Sequence, residues 1–236
     1  MASESAVLLV AHNRLWDAEM LIRSVLEGSY KLAFLCAPDA QERAARVSEY
    51  YDDLPEMGRL RTHERLSTLL STVSDPAADQ WRPFRDLILS DEEAIRLRDR
   101  YPRKERQALE QKWAFLPIAE ALSRDAALGG QSLLTMGYSY RIGSHMVHQD
   151  ADAIKIVWER EQRSQIRNDA IVLSHAAREL SDLFYLGFFR VLAAYRAKNI
   201  QTDPVYSTMA KYENWLSLLS AAYGSWHDIE YGGGGE

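Results

Sequence analysis

Apolar residues recur along this chain at helical spacing, and the signals of β-structure are missing. Leu15, Ala18, Ile22, Val25 and Leu26 set a three-to-four-residue period early, and Leu60, Leu66, Leu69 and Leu70 repeat it further on. Asn-Gly and Asp-Gly pairs, which close hairpins, do not occur, and runs rich in Val, Ile and Thr are lacking. The chain is therefore expected to be all-α, a multi-helix bundle of about eight helices.

Pro, Gly and capping residues divide the pattern. One long helix is expected over residues 4–37, stopped by Pro38, with Pro38-Asp39 opening the next over 40–52. A third is expected over 55–73, and Pro76 and Pro83 mark 74–89 as a loop. Ser90-Asp91-Glu92-Glu93 is a capping-box start for a short helix to Tyr101. Pro102 opens a helix to Arg124, and Gly129-Gly130 breaks the chain before a helix over Ser132–His148. Asp150 or Asp152 caps the next, to Arg163. Arg167–Asn199 reads as a long apolar-periodic helix, and Asp203-Pro204 begins a last one to Tyr223. Residues 1–231 are expected to form a single all-helical domain and 232–236 a flexible glycine-rich tail.

The chain has 236 residues, enough for a full core, with 47% hydrophobic and 26% charged residues, so wholesale disorder is not expected. Its formal charge of −6 argues against coating nucleic acid by bulk electrostatics, although a local basic groove is compatible with it. Arg far outnumbers Lys, which favours bidentate contacts to carboxylate or phosphate. The single Cys36 cannot pair internally, which fits a reducing cytoplasm. The short apolar run Ala6–Ala11 follows no basic residue and fits neither a signal peptide nor a membrane span.

Chemistry concentrates in Gly137 to Asp150, which holds an Arg, two His, two Ser and two Tyr. On a helix Arg141, Ser144, His145 and His148 project from one face. Arg141 and His148 are then roughly 10 Å apart along the axis and about 20° apart around it, so they can flank one phosphodiester. A histidine can deprotonate a ribose 2′-hydroxyl or protonate the leaving oxygen while arginine stabilises charge on the phosphate, with no metal needed. The spacing alone is weak, since this composition yields about two such Arg–His pairs by chance.

Arg141 to His148 resembles the Arg-(four to six residues)-His signature of the HEPN superfamily, all-helical proteins of which many are metal-independent endoribonucleases in toxin–antitoxin and antiviral systems. Some HEPN toxins end this motif in His-x-Tyr, where this chain has His148-Gln149-Asp150. The pattern Tyr140-x-x-x-Ser144-x-x-x-His148, with Arg23-Ser24-Val25-Leu26-Glu27 upstream, resembles more closely an uncharacterised family of bacterial helical proteins. The HEPN resemblance implies a homodimer in which two copies of the Ser132–His148 helix line one RNA cleft. Arg141 and His148 would be catalytic there, with Tyr140, Ser144 and His145 supporting them. Antitoxin or defence-complex proteins are the partners it implies.

Arg23 and Glu27 form an i, i+4 pair beside Trp16, Tyr30 and Phe34, either a simple intrahelical ion pair or a part of the same polar pocket. His175, Arg178, Glu179 and Asp182 read as a polar face of the long helix, and Trp113 as core. His145, His148, Asp150 and Asp152 make a poor metal site, and no His-Glu-x-x-His motif, Cys cluster or Gly-rich phosphate loop occurs. No metal and no cofactor are therefore expected. The rival to the ribonuclease is a non-catalytic helical module that uses the same residues to bind a nucleotide, a small ligand or a protein.

Overall fold

Helices follow the apolar period, and a capping side chain starts those that open at Ala40, Asp91 and Ala151. The structure is a computed structural model that describes residues 2–36, 39–128 and 130–232. Its α-helices are α1 (Ala2–Ala11), α2 (Leu15–Leu35), α3 (Ala40–Ser48), α4 (Leu54–Ser71), the single turn α5 (Arg82–Arg85), α6 (Asp91–Arg100), α7 (Arg103–Lys112), α8 (Phe115–Ser123), α9 (Ser132–His148), α10 (Ala151–Glu161), α11 (Gln165–Ala197), α12 (Asp203–Ala210) and α13 (Glu213–Tyr231). No strand occurs among the described residues, so the all-α expectation holds. Twelve of these helices have eight residues or more, against the eight or so expected.

The excess has local causes. The expected helix over 4–37 is two helices, because Asn13 adopts a left-handed φ of 55° between α1 and α2. The helix expected from Pro102 to Arg124 breaks at Trp113-Ala114, and the last one divides at Lys211-Tyr212. Conversely, a π-helical turn over Glu49–Asp53 carries α3 into α4 where two helices were expected. The caps are as read: Asp39 accepts from the Glu42 N–H, Ser90 from Glu93, and Asp150 from Asp152 and Ala153. The expected roles of Pro38, Gly129 and the tail from 233 lie outside the described residues.

The chain divides into two compact units, Met1–Cys36 with Ile118–Glu236, and Ala37–Pro117. In the smaller unit Met57, Leu60, Leu89, Ala94, Leu97 and Tyr101 form the core. Glu49 ties down the end of α7, accepting from Trp113 Nε1 at 3.0 Å and Lys112 Nζ at 2.7 Å, so Trp113 is core as expected.

In the larger unit the 33-residue α11 packs against α2 and α13, and α2 also packs against α9. The aliphatic face of α2 is buried as its spacing requires, through Leu15, Ala18, Ile22, Val25 and Leu26. Each such side chain contributes about 1.5–3 kcal/mol, less for alanine. Two polar residues, Glu19 and Ser29, go into the core with them. Tyr30 is fully buried and its hydroxyl donates to the Leu133 carbonyl at 2.6 Å, pinning the start of α9. Ser139, Gly143 and Met146 form the buried side of α9. A Cβ on Gly143 would lie 2.8 Å from Arg23 Cβ and 3.0 Å from the Glu19 carbonyl oxygen, so α2 and α9 cross where only glycine fits.

Candidate functional site

Because α9 is regular from Ser132 to His148, Arg141, Ser144, His145 and His148 do share one face. Arg141 and His148 are exposed, and Ser144 and His145 are half-buried. The helix ends on Gln149, whose φ of 49° turns the chain so that Asp150 both caps α10 and reaches back to His145. Asp150 Oδ2 lies 2.7 Å from His145 Nδ1, and Arg141 Nε donates to His145 Nε2 at 3.3 Å. A guanidinium only donates, so Nε2 accepts and the proton sits on Nδ1, shared with Asp150. The His145 hydrogen bond, with help from the backbone N–H of Ala153, holds the Asp150 carboxyl below its ordinary range. The result is a carboxylate-oriented imidazole with its basic nitrogen toward an arginine and His148 one turn away. Ser144 and His148 make no side-chain hydrogen bond with any described residue.

Arg23, Glu27 and Tyr140 meet as a second group at the α2–α9 crossing. Arg23 Nη2 donates to the Tyr140 hydroxyl at 3.0 Å, and its guanidinium lies 4.7 Å from the Tyr140 ring centroid. Glu27 is 3.8 Å from Arg23 and takes its closer contact, 2.6 Å, from Lys31. No hydrogen bond or ion pair among the described residues joins Arg23 or Glu27 to Arg141, His145 or His148. The seven residues singled out in the sequence thus fall into two groups, and Tyr140 belongs with Arg23.

A third set of polar residues, expected as a helix face, is drawn inward instead, with His175 and Glu179 buried and Arg178 and Asp182 half-buried. His175, Arg178, Glu179 and Asp182 of α11 pack against Glu19 of α2 and Ser139 of α9. Glu19 and Glu179 have no solvent exposure. His175 Nε2 is 2.8 Å from Glu19 Oε2 and 3.1 Å from Glu179 Oε1. Arg178 binds Glu19 through Nη2, and Ser139 Oγ at 2.9 Å and Asp182 Oδ2 at 3.3 Å through Nη1. Arg160 of α10 lies over Trp16, 4.1 Å from its ring centroid, and its Nη1 is 2.8 Å from His175 Nδ1. By the same donor argument His175 Nδ1 accepts and Nε2 carries the proton. In the sequence, the i, i+4 pairs His175/Glu179 and Arg178/Asp182 are visible, but no motif marks Glu19. The signal lay in where Glu19 falls, next to Ala18 and on the side of Ile22, within the apolar face of α2.

Burial sets the charges here. It alone would raise the Glu19 carboxyl, but the His175 hydrogen bond and the Arg178 charge together hold it below the carboxylate range. For Glu179 burial dominates and pushes the carboxyl up, His175 offsetting it only in part. Burial also raises Asp182 despite Arg178. Burial and the neighbouring Arg178 and Arg163 bring the Arg160 guanidinium down to about 10. A carboxyl raised by folding binds its proton more tightly in the native state, so its penalty is absent below the unfolded value and grows as pH rises to the folded one. Glu179→Gln is accordingly expected to stabilise the chelator-treated protein by about 1–3 kcal/mol at pH 8, with the gain vanishing toward pH 4. Urea unfolding at the two pH values measures it, and a loss of stability at pH 8 would contradict it.

A cavity of about 390 Å³ opens beside this network, walled by Trp16, Tyr138, Trp226, Arg160, His175 and Arg178. A second, apolar cavity of about 540 Å³ is lined by Leu133, Met136, Tyr185, Phe189 and Val205, with Asp182 on its wall. No helix among the described residues is long and apolar enough to cross a membrane.

These features define an all-helical protein with an Asp–His–Arg row at the C-terminal end of α9 and an ionic network centred on the buried Glu19, His175 and Glu179. Residues 1–165 match a family of unknown function, DUF5677, and the chain belongs to that family. The matched stretch holds Glu19, Arg23 and all of α9, and ends at the first residue of α11, before His175, Arg178 and Glu179. Neither the curated proteins nor the solved structures include a match to this chain.

Proposed function

We propose that the protein is a HEPN-like, metal-independent endoribonuclease acting in a toxin or antiviral defence setting in the cytoplasm. The observation that carries this reading is the hydrogen-bonded row Asp150–His145–Arg141 beside the exposed His148. In it Arg141 swings from His145 Nε2 onto the scissile phosphate. The freed Nε2 takes the proton of the ribose 2′-hydroxyl, whose oxygen attacks phosphorus. The 5′ oxygen leaves with a proton from His148, giving a 2′,3′-cyclic phosphate. Asp150 keeps the His145 proton on Nδ1 and so keeps Nε2 basic. A homodimer pairing two α9 helices would place two such rows around one RNA.

Purified protein is expected to cut RNA in excess chelator, and His148→Ala or Arg141→Ala to slow cutting by about 10²–10⁴-fold. Asp150→Asn should also slow it, while keeping the α10 cap that asparagine supplies equally well. Added imidazole should restore part of the His145→Ala activity. Cleavage by His148→Ala and Arg141→Ala at the wild-type rate would remove the proposal. The second reading, a non-catalytic module binding a nucleotide, a small ligand or a protein partner, is favoured by the aromatic and cationic walls of the 390 Å³ cavity. It prevails if RNA stays intact while a nucleotide raises the melting temperature.

A further inference from the structure

Glu179 is fully buried; His175 Nε2 approaches its Oε1 to 3.1 Å without the alignment of a hydrogen bond, and its Oε2 has no hydrogen-bond partner. Glu19 Oε1 is buried and unpartnered as well. An ionised carboxylate in that state has its desolvation cost offset only in part by His175, and three oxygens without a hydrogen bond around one imidazole call for a common positive partner. One ligand atom each from Glu19, His175 and Glu179 lies within 4.8 Å of the others, the spread a single ion spans. Three carboxylates, Glu19, Glu179 and Asp182, face two guanidiniums, Arg160 and Arg178, so the network holds excess negative charge.

We propose that Glu19, His175 and Glu179 form a buried site for one divalent transition metal ion. The two-carboxylate, one-imidazole set is suited to Mn²⁺, Fe²⁺ or Zn²⁺ rather than to Ca²⁺ or a soft ion. His175 and Glu179 come from one face of α11 at i, i+4, and Glu19 comes from the facing turn of α2. His175 also lines the 390 Å³ cavity, which provides an entry path.

Arg160 controls occupancy. A metal needs the His175 Nε2 lone pair, so the ring proton must move to Nδ1, where Arg160 Nη1 now donates at 2.8 Å. Metal-bound histidines place an acceptor at that position, and a guanidinium has none. Binding therefore requires Arg160 to swing into the cavity that it lines. Replacing it with glutamine supplies a carbonyl acceptor and removes the competing charge.

The test is direct titration of the chelator-treated full chain, with Co²⁺ followed by its visible absorption and Mn²⁺ by electron paramagnetic resonance. The wild type is expected to bind saturably. Glu179→Gln, which keeps the side-chain shape, should weaken binding by about 100-fold or more, and Arg160→Gln should strengthen it by about 10–100-fold. Absence of saturable binding by the wild type, or equal binding by Glu179→Gln, would overturn the site. Should Glu179→Gln fail to fold, the Arg160→Gln titration decides: stronger binding supports the site and unchanged affinity rejects it. The readout is binding, so it stands or falls independently of RNA cleavage.

Discussion

Arg178→Met is expected to lower unfolding stability by about 3–5 kcal/mol, because it breaks a buried ion pair and leaves the carboxylates behind. Methionine keeps most of the arginine stem and removes the charge. Glu19, at zero exposure, would retain only His175, and Asp182 only Ser139. The Glu19 carboxyl, now held low by His175 and Arg178, would rise as that charge disappears. Stability from a carboxyl depressed in the folded state is present above its unfolded value and is lost as pH falls through the folded one. The Arg178→Met deficit should therefore be largest near neutrality and shrink toward pH 4. Denaturant unfolding at several pH values measures both. The double variant Glu19→Gln/Arg178→Met should recover most of the loss, since it removes the stranded charge along with its partner. A single-variant loss under 1 kcal/mol would mean that water, not Arg178, satisfies Glu19.

Gly143→Val should cost about 3 kcal/mol, and Gly143→Ala about half of that. Helix propensity pulls the other way, since alanine in place of glycine gains about 1 kcal/mol in a helix interior. Sterics decide the sign. A new Cβ would lie 2.8 Å from Arg23 Cβ, the rigid base of that side chain, and 3.0 Å from a backbone oxygen of α2, so neither neighbour can simply rotate away. The two helices must separate, which also strains the 3.0 Å Arg23–Tyr140 hydrogen bond. In a chain of this length the valine variant should melt about 6–12 °C lower. A melting temperature at or above wild type would show that the crossing is looser than these distances describe.

The elements that were legible in the sequence are those fixed within a few turns of chain. Ser90 with Glu93, and Asp150 ahead of α10, cap helices through contacts three residues long, so their residue types announce them. The common face of Arg141, Ser144, His145 and His148 follows from helical period alone. Less legible was Asn13, where one residue in a left-handed conformation divides a pattern that is periodic on both sides.

The candidate site was half legible for the same reason. Its residue types and their face were apparent in α9, but the partner of His145 depends on the turn at Gln149 that brings Asp150 back. Tyr140 carried the same apparent role as Ser144, yet the helix rotation gives it to Arg23.

By itself, then, the sequence determined the all-helical class, most helix starts, and the polar face of α9, because period and capping are local properties of the chain. Tertiary structure decided which polar residues are buried and with whom. Glu19 and His175 stand 156 positions apart, and nothing near either one states that α2 and α11 will close over both. A carboxylate on a helix is ordinary in water and costly in a core, and only the packing of distant helices determines which of the two Glu19 and Glu179 become.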